Sequence, residues 1–162
     1  MKKMLIGLCI GLVLGGITGS VIVAVAEQNK PQTAPTEPTT AQLLSLVNAE
    51  RAKHGVAPLK EDARLDASAQ MKANDEVAYN YFGHVSPHDG KQGYLYINDV
   101  GINCTSDSEN IRENGTINTS AAAVEAWINS PPHHAAMIAS KYTLTGFGIN
   151  GNQIVEHFCQ TP

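Results

Sequence analysis

The chain has 162 residues, 43% of them apolar, and a formal net charge of −4 with His neutral. That length allows one domain of ordinary size plus appendages, with enough residues to bury a core. Setting Lys2 and Lys3 aside leaves 9 basic residues against 15 acidic ones, or −6. With no basic patch interleaved with aromatics, the composition excludes nucleic acid and anionic lipid headgroups as partners.

Met4 to Ala26 contains no charged residue and follows directly on Lys2 and Lys3. An apolar run of ~20 residues suffices to cross a bilayer as a helix, with the lysines cytoplasmic and everything after Ala26 outside. Ala24-Val25-Ala26 also supplies the small-x-small cleavage site of a signal peptide. Residues 1–26 are therefore expected to be a transmembrane anchor or a signal peptide. The first reading gives a single-pass cell-membrane protein with its domain outside; the second gives secretion after cleavage at Ala26. Residues 27–40 carry Pro31, Pro35 and Pro38 among Thr, Gln and Glu, a composition that cannot bury a core and predicts an extended linker.

Helical spacing of Leu43, Leu44, Val47 and Arg51 predicts a helix to about His54, with Thr40 as N-cap and Gly55 as the stop. Val56 to Leu59 reads as an extended connector. A longer helix is expected from Ala63 to Tyr81, with Leu65, Ala69, Ala73, Val77 and Tyr81 on one stripe. Gly83 to Gly93 reads as loop, Tyr94 to Ile102 as an ordered turn or short helix, and Asn103 to Gly115 as strand or loop edge. Thr119 or Ser120 is expected to cap a helix through Asn129, stopped by Pro131 and Pro132, with a second short helix starting at His133 and His134. Asn150-Gly151, flanked by Phe147/Ile149 and Ile154/Phe158, is a strong hairpin signal. Helices first and clear strands late point to an α+β fold with helices over a small antiparallel sheet.

Beyond residue 26 the cysteines are Cys104 and Cys159. In an exported domain two thiols tend to pair, and closing that loop is worth about 4 kcal/mol in the chain-entropy model. Two unrelated buried thiols are the alternative.

Several stretches together resemble a known family. Leu44-x-x-Val47-Asn48-x-Glu50-Arg51-x-x-x-Gly55-x-x-Pro58-Leu59 is similar to the opening of the CAP superfamily of cysteine-rich secretory, antigen 5 and pathogenesis-related 1 proteins. Phe82-x-His84-x-Ser86-Pro87, Glu109-Asn110-Ile111, Ala123-Val124-x-x-Trp127-x-Asn129-Ser130-Pro131-x-His133 and Gly146-x-Gly148 follow in the order used by bacterial members of the SCP-like extracellular type. The resemblance covers residues 41–160. It implies a three-layer α-β-α sandwich, export, and a cleft of two His and up to two Glu that binds a divalent metal in some members. By position, His84, Glu109 and His133 match that cleft, and Ser130 stands where eukaryotic relatives have the second Glu. Pro132, His134 and Ala136 stand where Gly, Arg and Asn are usual.

The chemistry of these residues is consistent with that cleft. Two imidazoles from separate elements beside a carboxylate can hold Zn²⁺ or another divalent ion and leave positions open for water. Glu109 can ligate, orient a His, or act as a base. Each has a bland reading: His84 as a loop brace, Glu109 as a structural carboxylate. His54 reads as a surface residue compatible with the helix dipole, and His157 as a surface or satisfied strand residue. Ser86 lacks the surroundings of a hydrolase nucleophile. The expected function is an exported, tethered or secreted cell-surface binding module whose ligand is a lipid, glycan or protein, with metal at His84 and His133. The alternative is a metal-dependent hydrolase of peptides or cell-wall material, with Glu109 as base.

Overall fold

The computed structural model describes residues 36–162 with the exception of Ile117. The apolar segment at residues 1–26 and most of the linker lie outside the described residues. Among those described, no helix is long and apolar enough to cross a membrane.

Helix α1 spans Thr40–Lys53 and is capped by Thr39, one residue earlier than the spacing suggests, because Thr39 Oγ1 accepts from the Gln42 N–H at 3.3 Å. Thr39 also donates its backbone N–H to Ser120 Oγ at 3.1 Å. Strand β1 is the two-residue Lys60–Glu61, inside a stretch where sequence showed only a connector. Helix α2 spans Ala63–Ala78 with Asp62 as N-cap. Its apolar stripe is shorter than expected: Leu65, Ala69 and Ala73 are buried, but Val77 is exposed and Tyr81 lies past the helix end. The chain turns there through Asn80 in the left-handed region, a conformation Asn adopts more readily than most residues.

A single 3₁₀ turn at Gly93–Leu95 leads into the short helix α3, Tyr96–Asp99. Strand β2 spans Ser106–Glu113, α4 Ser120–Ile128, α5 Pro131–Met137, β3 Leu144–Asn150 and β4 Gln153–Gln160. The second short helix begins at Pro131 and not at the histidines. Proline fits the first turn of a helix because its missing N–H would have no intrahelical partner there.

The sheet order is β1-β3-β4-β2. The three long strands are antiparallel, with Gly151 in the left-handed region between β3 and β4. β1 runs parallel to β3, so the sheet is mixed and not purely antiparallel. Central β4 alternates between two covered faces. Ile154 and Phe158 join Phe147 with Leu43, Val47, Ala123, Val124, Trp127 and Met137 from α1, α4 and α5. Val155 packs with Ala69 and Ala73 of α2 and Ile111 of β2, and Cys159 with Leu65, Ile97 and Ile102. These are the three α-β-α layers. Cys104 and Cys159 form a disulfide with their Cα atoms 5.4 Å apart, tying the β2 approach to β4.

Candidate functional site

Three successive residues of the edge strand β2 divide their work between the two faces of the sheet. Glu109 faces the α2 side, paired across the ladder with His157. Its Oε1 accepts from His84 Nδ1 at 2.7 Å and its Oε2 from His157 Nε2 at 3.1 Å. Asn110 faces the other side, where Nδ2 donates to the backbone oxygen of His133 at 3.3 Å and to Glu156 Oε2 at 3.4 Å. The carbonyl of Ile111 accepts from Trp127 Nε1 at 3.0 Å. Through these bonds β2 holds the His84 loop, the first turn of α5 and helix α4.

The outcome is that His84 and His133 approach over the open edge of β2, with ring centroids 6.1 Å apart. The His84 side chain is 53% exposed and Glu109 only 3%, so the pair presents an imidazole to solvent with its carboxylate partner behind it. Burial pushes the Glu109 carboxyl up, but hydrogen bonds from His157 and His84 outweigh it and hold the group below its ordinary range. The same bond to Glu109 raises His84. His133 is lowered, first by burial and then by the His84 charge. An ionised Glu109 fixes the proton of His84 on Nδ1 and leaves Nε2 for another partner.

The rear of this site is polar and fully enclosed. His157 is completely buried, and its Nδ1 lies 2.7 Å from Ser68 Oγ, which also reaches the Leu65 carbonyl at 2.9 Å. Lys72 and Glu76, both fully buried on α2, form an ion pair of 2.9 Å. Lys72 Nζ further donates to Tyr81 Oη at 3.0 Å and to the Gly83 carbonyl at 2.7 Å, anchoring the loop just before His84. Gly93 closes the pocket wall: a Cβ there would sit 1.8 Å from Glu109 Oε2. Sequence reasoning missed Ser68 and His157 as members of this cluster, because only the β2–β4 register brings His157 against Glu109.

Of the other sequence candidates, Ser130 is the N-cap of α5 by position and makes no side-chain cap bond. Ser86 is fully buried and braces the loop, its backbone N–H donating to the Lys91 carbonyl and its own carbonyl accepting from Gly90, both at 2.9 Å. A nucleophile needs access to substrate, and Ser86 has none.

A second histidine cluster lies where α1 meets α5. Glu50 Oε1 is 3.1 Å from His54 Nε2 and 2.9 Å from His134 Nε2. One donor atom from each of Glu50, His54 and His134 lies within 4.8 Å of the others, a grouping that can hold a metal ion. The signal for it was present as Glu50-x-x-x-His54, an i,i+4 pair on one helix face, but the third member comes from a distant helix. Beside it Arg51, 1% exposed, donates to the carbonyls of Ala57, Met137, Ala139 and Tyr142 at 2.6–3.2 Å. α1 is thereby clamped to the C-terminal end of α5, whose last carbonyls have no helical donors.

Two layers of helix over this mixed sheet define the class of protein. Residues 44–160 match the family model described as "CAP: Cysteine-rich secretory protein family", and the chain belongs to that family. It is 33% identical over 134 residues to the uncharacterized protein YkwD of Bacillus subtilis, covering 81% of this chain and 51% of that one. It is 33% identical over 123 residues to the uncharacterized membrane protein YlbC of the same organism, covering 72% of this chain and 33% of that one. This chain thus spans about half the length of the first and a third of the second. Among solved structures, an extracellular protein containing a SCP domain from Bacillus anthracis superposes with a TM-score of 0.69 at 24% identity, over 75% of this chain and 40% of that one. That likeness shares the fold.

Proposed function

We propose that this protein is an exported, envelope-associated binding module whose recognition site is the cleft between His84 and His133. The observation that carries the proposal is the approach of the two imidazoles to 6.1 Å at the open sheet edge, with His84 held from behind by buried Glu109. Export is supported by the apolar run at residues 4–26 and by the disulfide, since such bonds persist outside the cytosol. It is supported too by a relative described as a membrane protein and a fold neighbour described as extracellular.

The residues fit a divalent ion of the zinc type. Glu109 behind His84 is the carboxylate–histidine arrangement that fixes tautomer and raises ligand basicity. His84 and His133 would hold the ion, leaving open positions through which a carboxylate, a phosphate or a hydroxyl-bearing glycan on a surface partner could be bound. Hydrolysis fits less well. Both oxygens of Glu109 are taken up by imidazole N–H groups, which commits it to orientation and not to proton abstraction, and Ser130 supplies no second carboxylate.

Zinc titration calorimetry on the full-length chain in mild detergent tests the reading. The expected result is that His84→Ala and His133→Ala each remove the same saturable binding event while the fold is kept. Zinc binding that is indifferent to both substitutions would sink the cleft as a metal site.

A further inference from the structure

The cluster at the α1–α5 junction lies apart from the cleft, and its geometry has a purpose beyond an ion pair. Two of its members come from the end of α1: Glu50 lies in its last turn and His54, four residues on, is its C-cap. The third, His134, projects from α5 on the side away from the cleft. Adjacent His133 and His134 thus serve different partners, His133 toward His84 and His134 toward Glu50.

One donor atom from each of the three residues lies within 4.8 Å of the other two. Tetrahedral zinc with bonds of about 2.0–2.2 Å requires donors roughly 3.3–3.5 Å apart. Glu50 Oε1 lies 3.1 and 2.9 Å from the two Nε2 atoms, and the imidazoles meet edge to face with centroids 5.1 Å apart. The carboxylate is fixed beforehand: its side chain is 7% exposed, and its other oxygen accepts from Lys53 Nζ at 2.8 Å. The outer side is open, because the His54 and His134 side chains are 40% and 24% exposed, which leaves room for water as a further ligand. Beneath, Arg51 locks α1 to the end of α5 and makes the three-residue set rigid.

We infer that Glu50, His54 and His134 form a second metal site, selective for zinc-class divalent ions, that cross-links α1 to α5. Two imidazoles and one carboxylate favour Zn²⁺, Ni²⁺ or Cu²⁺ over Mg²⁺ and Ca²⁺, which prefer all-oxygen sites. The ion would displace the imidazole N–H donors from Glu50 Oε1 and hold the helix that carries His133. This inference does not depend on the cleft reading.

The test removes the cleft first. The full-length chain carrying His84→Ala and His133→Ala together is titrated with Zn²⁺, then with Co²⁺ to read the strong visible bands of a tetrahedral centre. One equivalent should still bind. Adding His54→Gln or His134→Gln, polar replacements that spare the packing, should weaken binding at least tenfold and abolish the cobalt spectrum while the far-ultraviolet dichroism is unchanged. An excess of Mg²⁺ should not compete. The inference is overturned if the cleft-deleted chain binds no zinc, or if its affinity is indifferent to both Gln substitutions. Loss of all zinc in the cleft-deleted chain would thus reject this site alone, whereas a zinc stoichiometry left unchanged by His84→Ala and His133→Ala would reject the cleft site alone.

Discussion

Glu156 stands in the middle of β4, fully buried, on the face opposite His157. Thr145 Oγ1 donates to its Oε1 at 3.2 Å and Asn110 Nδ2 to its Oε2 at 3.4 Å. Desolvation outweighs these bonds and the Arg51 charge, and the carboxyl is pushed up from 4.5 to about 8. Between those two values the folded state keeps a proton that the unfolded chain releases. The sign follows: this group's contribution is present at low pH and is lost as pH rises toward 8, at about 1.4 kcal/mol per pH unit. Glu156→Gln should flatten that slope. Urea midpoints measured at about pH 5 and about pH 8 should diverge for wild type more than for the variant; parallel profiles would show that Glu156 titrates normally. No sequence pattern announces such a residue, since its neighbours Val155 and His157 face the other layer. Arg51 is a similar case. Its helical spacing places it on the buried face of α1, but its four carbonyl partners lie in loops and helix ends that only the folded chain assembles.

At the scale of elements, the contact that sets the molecule's thickness is α2 against β3. Gly146 and Gly148 point at the helix: a Cβ on the first would lie 2.2 Å from Asp66 N, and on the second 2.2 Å from the Ala69 carbonyl carbon. β1 covers only Leu144 and Thr145, so beyond it the α2 side chains finish the ladder. Asp66 Oδ1 accepts from Phe147 N–H at 2.8 Å and Gln70 Oε1 from Ile149 N–H at 3.1 Å. Gly148→Ala is therefore expected to destabilise by about 1–3 kcal/mol, the range for overpacking that forces backbone shifts. Chemical denaturation checks this. Because the clash is with backbone, Ala69→Gly added to it should give no rescue, and rescue would place the strain in the side chain instead. The Gly-x-Gly spacing was visible in the sequence, but its reason, a helix lying directly over the strand, was not.

Over the whole molecule, the chain's last strand is its centre. β4 pairs with β2 on one side and β3 on the other and is covered on both faces, so folding cannot finish until residue 160 is in place. The Cys104–Cys159 bond spans 55 residues and joins that strand to the run into β2. Reduction, or Cys104→Ser with Cys159→Ser, should cost about 4 kcal/mol, most of it through the freedom returned to the unfolded chain. Equilibrium unfolding with and without reductant measures it. The Thr143 N–H to Cys159 carbonyl bond at 3.1 Å and the Thr105 N–H to Gln160 carbonyl bond at 2.8 Å remain to hold the register. The cleft geometry should therefore survive reduction in mild conditions, and a loss of cleft zinc binding on reduction alone would contradict this.

What the sequence by itself determined is whatever is encoded locally. Turn chemistry placed the Asn150-Gly151 hairpin, 3.6-residue periodicity placed α1 and α2, cap and proline signals placed α4, and the two cysteines beyond residue 26 offered a disulfide as one of two readings. The ordered motifs identified the family and placed His84, Glu109 and His133 on the elements that now meet at the edge of β2. Only the tertiary structure decided what those residues touch. Strand register put His157 behind Glu109, and α5 turned His133 and His134 to opposite partners. The junction with α1 gathered Glu50, His54 and His134 from positions up to 84 residues apart. The physical reason is that hydrogen-bond partners and metal donors are chosen by distance in space, whereas periodicity and turn propensity act through a few neighbouring residues along the chain.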